Sequence, residues 1–382
     1  MQKMKVLIVG GGIGGLTLAA FLEHSHIEYE IIEKCPNWEH QGFVIGLWDN
    51  GRDILKKLGL ADGLDQFGTR IQAYAIRDGA GNGIRTYDLR NFFIKYGSSL
   101  TCINRADLHD WLLSRVDQSK IRMGLSVESI VQDEEGVTVK FTDGTSRVFD
   151  AVVGADGAHS VVRKLSFPKS EEKFDNWRVW HTWIDDRFNV PGILTEYVEP
   201  SEFAIVLKAN GKTHASFIAP VEHTAWDTAE GRAERLRTIL KEESALIPAS
   251  ISKHKDQDLF PSDIMEVKLD KWVSGRIALL GDAAHAFGPY AALGGSMAME
   301  DAYVLAGELM KVSGQFPISD TLKRYESKRL PRVQIARELS HKIRLYTLVK
   351  SKRIRQLMNL FAQFIPSGFV LRDLDRLLKQ EI

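Results

Sequence analysis

The stretch Val6-Leu7-Ile8-Val9-Gly10-Gly11-Gly12-Ile13-Gly14-Gly15 decides the fold. Four consecutive apolar residues read as a short strand buried on both faces, the habit of a parallel sheet. Gly10, Gly12 and Gly15 then spell G-x-G-x-x-G, and Leu16 to Glu23 carries apolar residues at 16, 18, 21 and 22, a helical spacing. Tyr29 to Ile32 is a second strand, ending at Glu33. In this setting the first glycine permits a tight turn and the second lets backbone approach a pyrophosphate. The third allows helix to pack on strand. The helix N-terminus adds the positive end of a dipole. Glu33, 18 residues beyond Gly15, stands where a carboxylate accepts hydrogen bonds from a ribose. The pattern predicts a dinucleotide site without separating FAD from NAD.

Outward from this βαβ opening, residues 49–60 read as a helix, 71–89 as a hairpin around Asp78-Gly79-Ala80-Gly81, and 105–116 as an amphipathic helix. Strands are expected over 126–132, 136–141 and 146–153. Between about 174 and 220 several strand-like pieces follow one another with no long helix between them, which predicts an antiparallel sheet. Helical spacing returns at 229–243, a buried strand at 276–281, and the remainder is mainly helical. The nucleotide-binding segments are therefore expected to be discontinuous, at 1–70, 100–165 and 270–340. Segments 71–99 and 166–269 form an inserted sheet domain, and 341–382 a helical end.

The chain of 382 residues carries 50 basic and 50 acidic side chains, is 44% hydrophobic and 26% charged, and so has ample apolar material for a core. A balanced charge gives no electrostatic reason to expect nucleic acid. Two cysteines, Cys35 and Cys102, exclude a disulfide framework and a cysteine-built metal site; both are read as inert thiols. The N-terminus runs straight into a strand and no apolar run approaches the roughly 20 residues of a membrane span, so a cytoplasmic protein is expected.

Two further clusters carry chemistry. One is Gly154-Ala155-Asp156-Gly157 with Arg163 following. The other is Gly281-Asp282-Ala283-Ala284-His285, then Pro289, Gly294-Gly295 and Glu300-Asp301. With these motifs in this order the chain resembles the single-component (group A) FAD-dependent monooxygenases, the aromatic-ring hydroxylase family that includes tetracycline-inactivating relatives. The match spans roughly 1–60, 100–165 and 270–335. It implies an α/β fold, a Rossmann-like FAD-binding domain with an inserted, mainly antiparallel β-sheet substrate domain and a helical C-terminus.

The resemblance implies that Gly10, Gly12, Ile13, Gly14, Gly15, Glu33 and Lys34 hold the ADP half of FAD. Asp282 is assigned to the ribityl and pyrophosphate region, and Asp156 to both FAD and nicotinamide contacts. Arg105 is expected to reach back to the flavin's phosphate or ribityl side, with Gly42, Pro289, Gly294 and Gly295 near the ring. Two departures stand out. Leu293 and Ser296 replace amide side chains usual in the 288–296 loop, and Val44 stands where a glycine is usual.

The inserted sheet is expected to roof the flavin. Alternation puts Arg178, Trp180 and Thr182 on one face and Val179, His181 and Trp183 on the other; the first set is taken as substrate-facing. His285 reads as a packing or hydrogen-bonding partner. Glu300 and Asp301 point about 100° apart on a helix, so they orient loop backbone or solvate a face and do not share a proton. From His341 to Arg372 no acidic residue occurs, while Ile354, Leu357, Met358, Phe361 and Ile365 form an apolar stripe. That tail either packs on the body with its charges solvated or touches an anionic membrane peripherally.

The resemblance implies that NADPH or NADH reduces the flavin, that O2 adds to form a C4a-hydroperoxide, and that one oxygen atom passes to a small aromatic or polyketide-like molecule. The cofactor carries the hard chemistry, so no catalytic side chain and no metal ligand is assigned. A monomer or homodimer is expected. An FAD-dependent reductase or dehydrogenase of a polyprenyl-type substrate, and a non-catalytic flavin-binding module, are the alternative readings.

Overall fold

The structure, a computed structural model, describes residues 4–23, 25, 27–38, 43–90, 93–94, 98–184, 190–198, 203–221, 227–240, 253–312, 317–349, 351, 353–355, 357–358 and 367–380. The opening strand Lys5–Val9 lies inside a six-stranded sheet. It is parallel to Ala151–Gly154 on one side and to Glu28–Glu33 on the other. Val6, Leu7 and Ile8 are wholly buried, as a strand covered on both faces requires. The chain leaves Lys5–Val9 toward one neighbour and returns on the opposite side. A crevice therefore opens beyond the carboxyl ends of Val9 and Gly154, where open α/β sheets bind ligands.

A seven-stranded sheet covers that crevice. Its order is Phe260–Lys268, Glu171–Ile184, Lys212–Pro220, Phe203–Ala209, Ile193–Val198, Ala73–Asp78 and Gly83–Asp88. Pairing is antiparallel except between Ile193–Val198 and Ala73–Asp78, which run parallel. Both faces are buried. Trp180, Ala215 and Phe217 pack with Ala233 and Leu236 of the helix Arg232–Ile239. Val179, Phe203 and Ile218 pack on the opposite side with Tyr290 and Leu348.

Three differences from the sequence reading have physical causes. The strand expected over 146–153 is two strands in two sheets, Ser146–Phe149 and Ala151–Gly154. They break at Asp150, whose backbone N–H donates to Lys5 O and whose Oδ2 accepts from Lys5 N at 2.7 Å. The edge strand Phe260–Lys268 has no counterpart in the sequence pattern: Pro261 and the polar pair Ser262-Asp263 hide it, and it forms by pairing with the long strand Glu171–Ile184. The helix expected over 229–243 is Arg232–Ile239, and residues 241–250 lie outside the described residues. Behind the crevice run the helices Gly294–Leu309 and Ile318–Thr347, followed by Ser367–Leu378. Among the described residues no helix is long and apolar enough to cross a membrane.

Candidate active site

The glycine turn is shaped by contacts with the second motif. Gly10 takes φ +108°, and a Cβ there would lie 2.5 Å from Ala155 O; at Gly15 a Cβ would lie 2.0 Å from Gly10 O. Gly14 abuts Leu280, which joins the turn to the third motif. At Gly12, by contrast, a Cβ would meet nothing within 4 Å. That open side coincides with the start of the helix Ile13–Glu23, whose first N–H groups have no intrahelical acceptor. Glu33 braces the turn, accepting from Gly11 N at 2.9 Å through one oxygen and from Cys35 N at 3.0 Å through the other. Lys34 is exposed beside it.

Asp156 divides its carboxylate between two jobs. Oδ2 accepts from the N–H groups of Val161 (2.7 Å) and Val162 (3.2 Å), holding the helix Val161–Ser166. Oδ1 is buried without a protein partner among the described residues, and burial raises the carboxyl pKa. An acceptor left in that position suits a ligand hydroxyl. Arg163 bridges the motifs, donating to Ala283 O at 2.9 Å and to Glu172 Oε2 at 2.7 Å.

Asp282 opens the short helix Asp282–His285, and its side chain makes no hydrogen bond among the described residues. It is exposed, yet desolvation by surrounding protein raises its pKa, partly offset by His285 and Arg105. A group both accessible and enclosed lines a cleft. Arg105 faces it from the start of the helix Arg105–Leu113, with its own pKa lowered by burial and then restored in part by Asp282. Beyond Asp282 the chain turns at Pro289, exposed at the start of a short 3-10 turn, and enters the helix Gly294–Leu309. A Cβ on Gly294 would meet nothing within 4 Å, whereas one on Gly295 would strike Ile45 at 2.6 Å. Gly42 lies outside the described residues.

Thus the cleft gathers the open sides of Gly12 and Gly294, two helix N-termini, the free oxygen of Asp156, and the Asp282–Arg105 pair. This donor set fits a dinucleotide with hydroxyl-rich and phosphate parts, the requirements of FAD.

His285, Glu300 and Asp301 belong to the support of this cleft. All three are wholly buried, which corrects the option that the acids solvate a face. Asp301 Oδ2 accepts from Gly281 N at 3.0 Å and meets His285 Nε2 at 2.6 Å, while Oδ1 takes Arg329 Nε at 2.7 Å. Burial opposes ionisation of Asp301, but His285 and Arg329 outweigh it and hold the carboxyl at about 2. Glu300 takes Asn50 at 2.7 Å and Arg332 at 2.7 Å. The buried arginines supplied by residues 318–347 turn both acids inward; a sequence window around 300 does not contain them.

The substrate-facing set also needs correction. Trp180 Nε1 donates to Asp227 Oδ2 (3.0 Å) and Thr182 Oγ1 to Asp258 O (2.8 Å), and Arg178 pairs with Asp263. These residues face the helix Arg232–Ile239 layer, away from the nucleotide-binding domain. The opposite face meets it: His181 stacks on Phe43 at 4.5 Å, and the Arg105 guanidinium lies 5.3 Å from the Phe43 ring centre. His214 follows at 5.5 Å from His181, with Trp183 edge-on at 5.3 Å. His181 Nδ1 is 3.0 Å from Ser216 Oγ; both ring nitrogens of the buried His214 lack a hydrogen-bond partner among the described residues. Burial holds His181 down at about 3 and His214 well below its ordinary value. Alternation defined the two faces correctly but could not orient them, because both are covered.

The cross-strand register extends this face. His181 pairs with Ser216, Ser216 with Ile205, Ile205 with Glu196 and Glu196 with Ile76, so one row crosses the roof. Glu196, not singled out in the sequence, is 7% exposed; burial pushes its carboxyl up to about 7, against an opposing pull from Arg355.

In the C-terminal segment, Arg344 pairs with Asp175 and Arg355 is buried, whereas Ile354 and Leu357 are exposed by 54% and 56%. Phe361 and Ile365 lie outside the described residues. Cys102 is buried, its thiol pushed up to about 12 by desolvation.

Comparison with known proteins agrees with the cleft's chemistry. The FAD binding domain family matches residues 3–340. A 3-amino-4-hydroxybenzoate 2-monooxygenase of Streptomyces platensis is 33% identical, over 90% of this chain and 89% of its own. A FAD-dependent urate hydroxylase of Klebsiella pneumoniae is 30% identical, over 87% of each. The crystal structure of a variant of Klebsiella pneumoniae HpxO complexed with FAD superposes with TM-score 0.88 and 25% identity, covering 98% of each chain. The tetracycline destructase Tet(51), at TM-score 0.78 and 21% identity, shares the fold. The chain belongs to the FAD binding domain family and is an FAD-dependent monooxygenase.

Proposed function

We propose that this enzyme uses NADPH or NADH and O2 to insert one oxygen atom into a small aromatic or polyketide-like molecule held between the FAD cleft and the sheet roof. When bound, FAD supplies the transfer of electrons from reduced nicotinamide to oxygen. The protein's part is to grip the cofactor through Gly12, Asp156, Arg105 and Asp282, to exclude water, and to orient the acceptor ring. The observation that carries the reading is the roof row: Ser216, Glu196 and two neutral histidines set among Val179, Ile205 and Leu207, on the face turned to the cleft. Apolar walls with few convergent polar groups suit a flat, partly polar ring. A cytoplasmic setting, where reduced nicotinamide is at hand, goes with this reading.

The test uses FAD-loaded protein with NADPH or NADH and a panel of urate, 3-amino-4-hydroxybenzoate and tetracycline. The expected result is faster nicotinamide oxidation with at least one compound and a product heavier by one oxygen atom. Turnover that persists without O2, or no stimulation by any ring compound, overturns the proposal.

A further inference from the structure

Glu196 is a buried carboxylate that the cofactor grip does not use. It stands on the strand Ile193–Val198, directly across the ladder from Ile205. Ile205 packs both on the main core and on the cluster containing Tyr290, so this part of the roof spans the junction of sheet and nucleotide-binding domain. Tyr74, on the adjacent parallel strand, donates its hydroxyl to Glu196 Oε2. The Tyr74 ring is itself fixed by stacking on Tyr87 at 6.2 Å, with the Arg85 guanidinium 5.1 Å from the Tyr87 ring centre. Among the described residues, Tyr74 makes the only hydrogen bond to this carboxylate. Arg355 acts on it through charge, while its guanidinium donates to Tyr346 O at 3.2 Å and to Thr347 O.

A carboxylate has two oxygens and accepts about four hydrogen bonds; one from Tyr74 leaves most of that capacity unused. Leaving such a group buried and under-bonded is costly unless something completes it. Water offers no selectivity, whereas a ligand with an O–H or ring N–H does. We propose that Glu196, positioned by Tyr74, is the specificity residue that accepts a hydrogen bond from a hydroxyl or ring N–H of the substrate. In its ionised form it admits donor-bearing rings and rejects those presenting an ether oxygen or a carboxylate at that end. The proposal rests on the pocket assignment made above.

The physics sets the size of the effect. A site built to bond a substrate hydroxyl discriminates strongly against the analogue lacking it, because its own polar group is then left unpaired. Glu196 is only 7% exposed, so little water is at hand to soften this penalty.

The probes are 4-methylphenol, which keeps its O–H where the Glu196 carboxyl is ionised, and its O-methyl ether, 4-methylanisole, titrated at about pH 8 into the FAD-loaded enzyme while the flavin absorbance is followed. In the wild type, 4-methylphenol should bind at least tenfold more tightly than 4-methylanisole. Glu196→Gln and Tyr74→Phe should each shrink that ratio to within threefold of unity by weakening 4-methylphenol alone. A structural role would instead weaken both probes together. Flavin content and thermal midpoint check each variant, and Tyr74→Phe carries the test should Glu196→Gln not fold. Equal binding of both probes to the wild type, or an unchanged ratio in the variants, overturns the assignment of Glu196. Absence of binding by either probe to protein that holds FAD overturns the pocket reading itself, and the Glu196 assignment with it.

Discussion

The Asp301 carboxylate lies 2.6 Å from His285 Nε2, with both side chains completely buried, and the same oxygen accepts the Gly281 N–H. The turn that presents Asp282 to the cleft is thereby fastened to the helix Gly294–Leu309. Replacing Asp301 with alanine would strand Arg329 with Glu300 alone and release the turn. Breaking a buried pair of this kind costs about 3–5 kcal/mol. Denaturant unfolding should show that loss, and FAD titration should show weaker uptake in whatever folded protein remains.

Gly12 and Gly15 separate cofactor binding from folding. A Cβ on Gly12 has open space, so Gly12→Ala should leave apoprotein stability within roughly 0.5 kcal/mol of wild type while lowering FAD affinity. A Cβ on Gly15 collides with Gly10 O, so Gly15→Ala should cost at least about 2 kcal/mol before any cofactor is added. Urea melts of the apoproteins beside fluorescence titrations with FAD distinguish the two.

The roof histidines set an acid limit. Burial depresses the folded pKa of His181 and His214 below the unfolded value of 6.5. Their stabilising contribution is full above 6.5. It declines as pH falls, because only the unfolded chain takes up the protons. Each adds a slope of up to about 1.4 kcal/mol per pH unit, and for His181 the window closes near pH 3, its folded pKa being about 3. Apoprotein melts between pH 7 and 5 should show the decline, and His214→Phe should flatten it.

Arg178 tests the orientation of the sheet. It pairs with Asp263 on the face away from the cleft, so Arg178→Ala should lower the melting temperature yet leave the KM of any accepted substrate within about twofold of wild type. A large rise in KM at unchanged stability would restore Arg178 to the pocket.

The glycine turn was legible because part of its constraint is local: Gly15 packs on Gly10 O and Glu33 accepts from Gly11 N within one βαβ unit. The close approach of Gly10 to Ala155 and of Gly14 to Leu280 joins distant motifs, and no local spacing shows it. The roof was less legible. Trp180 and His181 are neighbours in sequence with similar apolar surroundings, and only the distant helix Arg232–Ile239 and Phe43 decide which faces inward. Glu196 is not legible in the sequence, because an isolated acid in ILTEYV looks like a solvated strand position. Its strand pairs with Ala73–Asp78, more than a hundred residues earlier in the chain, where Tyr74 resides.

Arg332 donates to Leu377 O and Gln380 O and, on its other side, to Glu300, the residue next to Asp301. Trimming the last helix would therefore loosen more than a terminus: it deprives a guanidinium in the protein interior of two acceptors, one covalent link away from the clamp on the Asp282 turn. Tail and flavin grip should melt as one cooperative unit, and proteolytic clipping near residue 366 should bleach the protein.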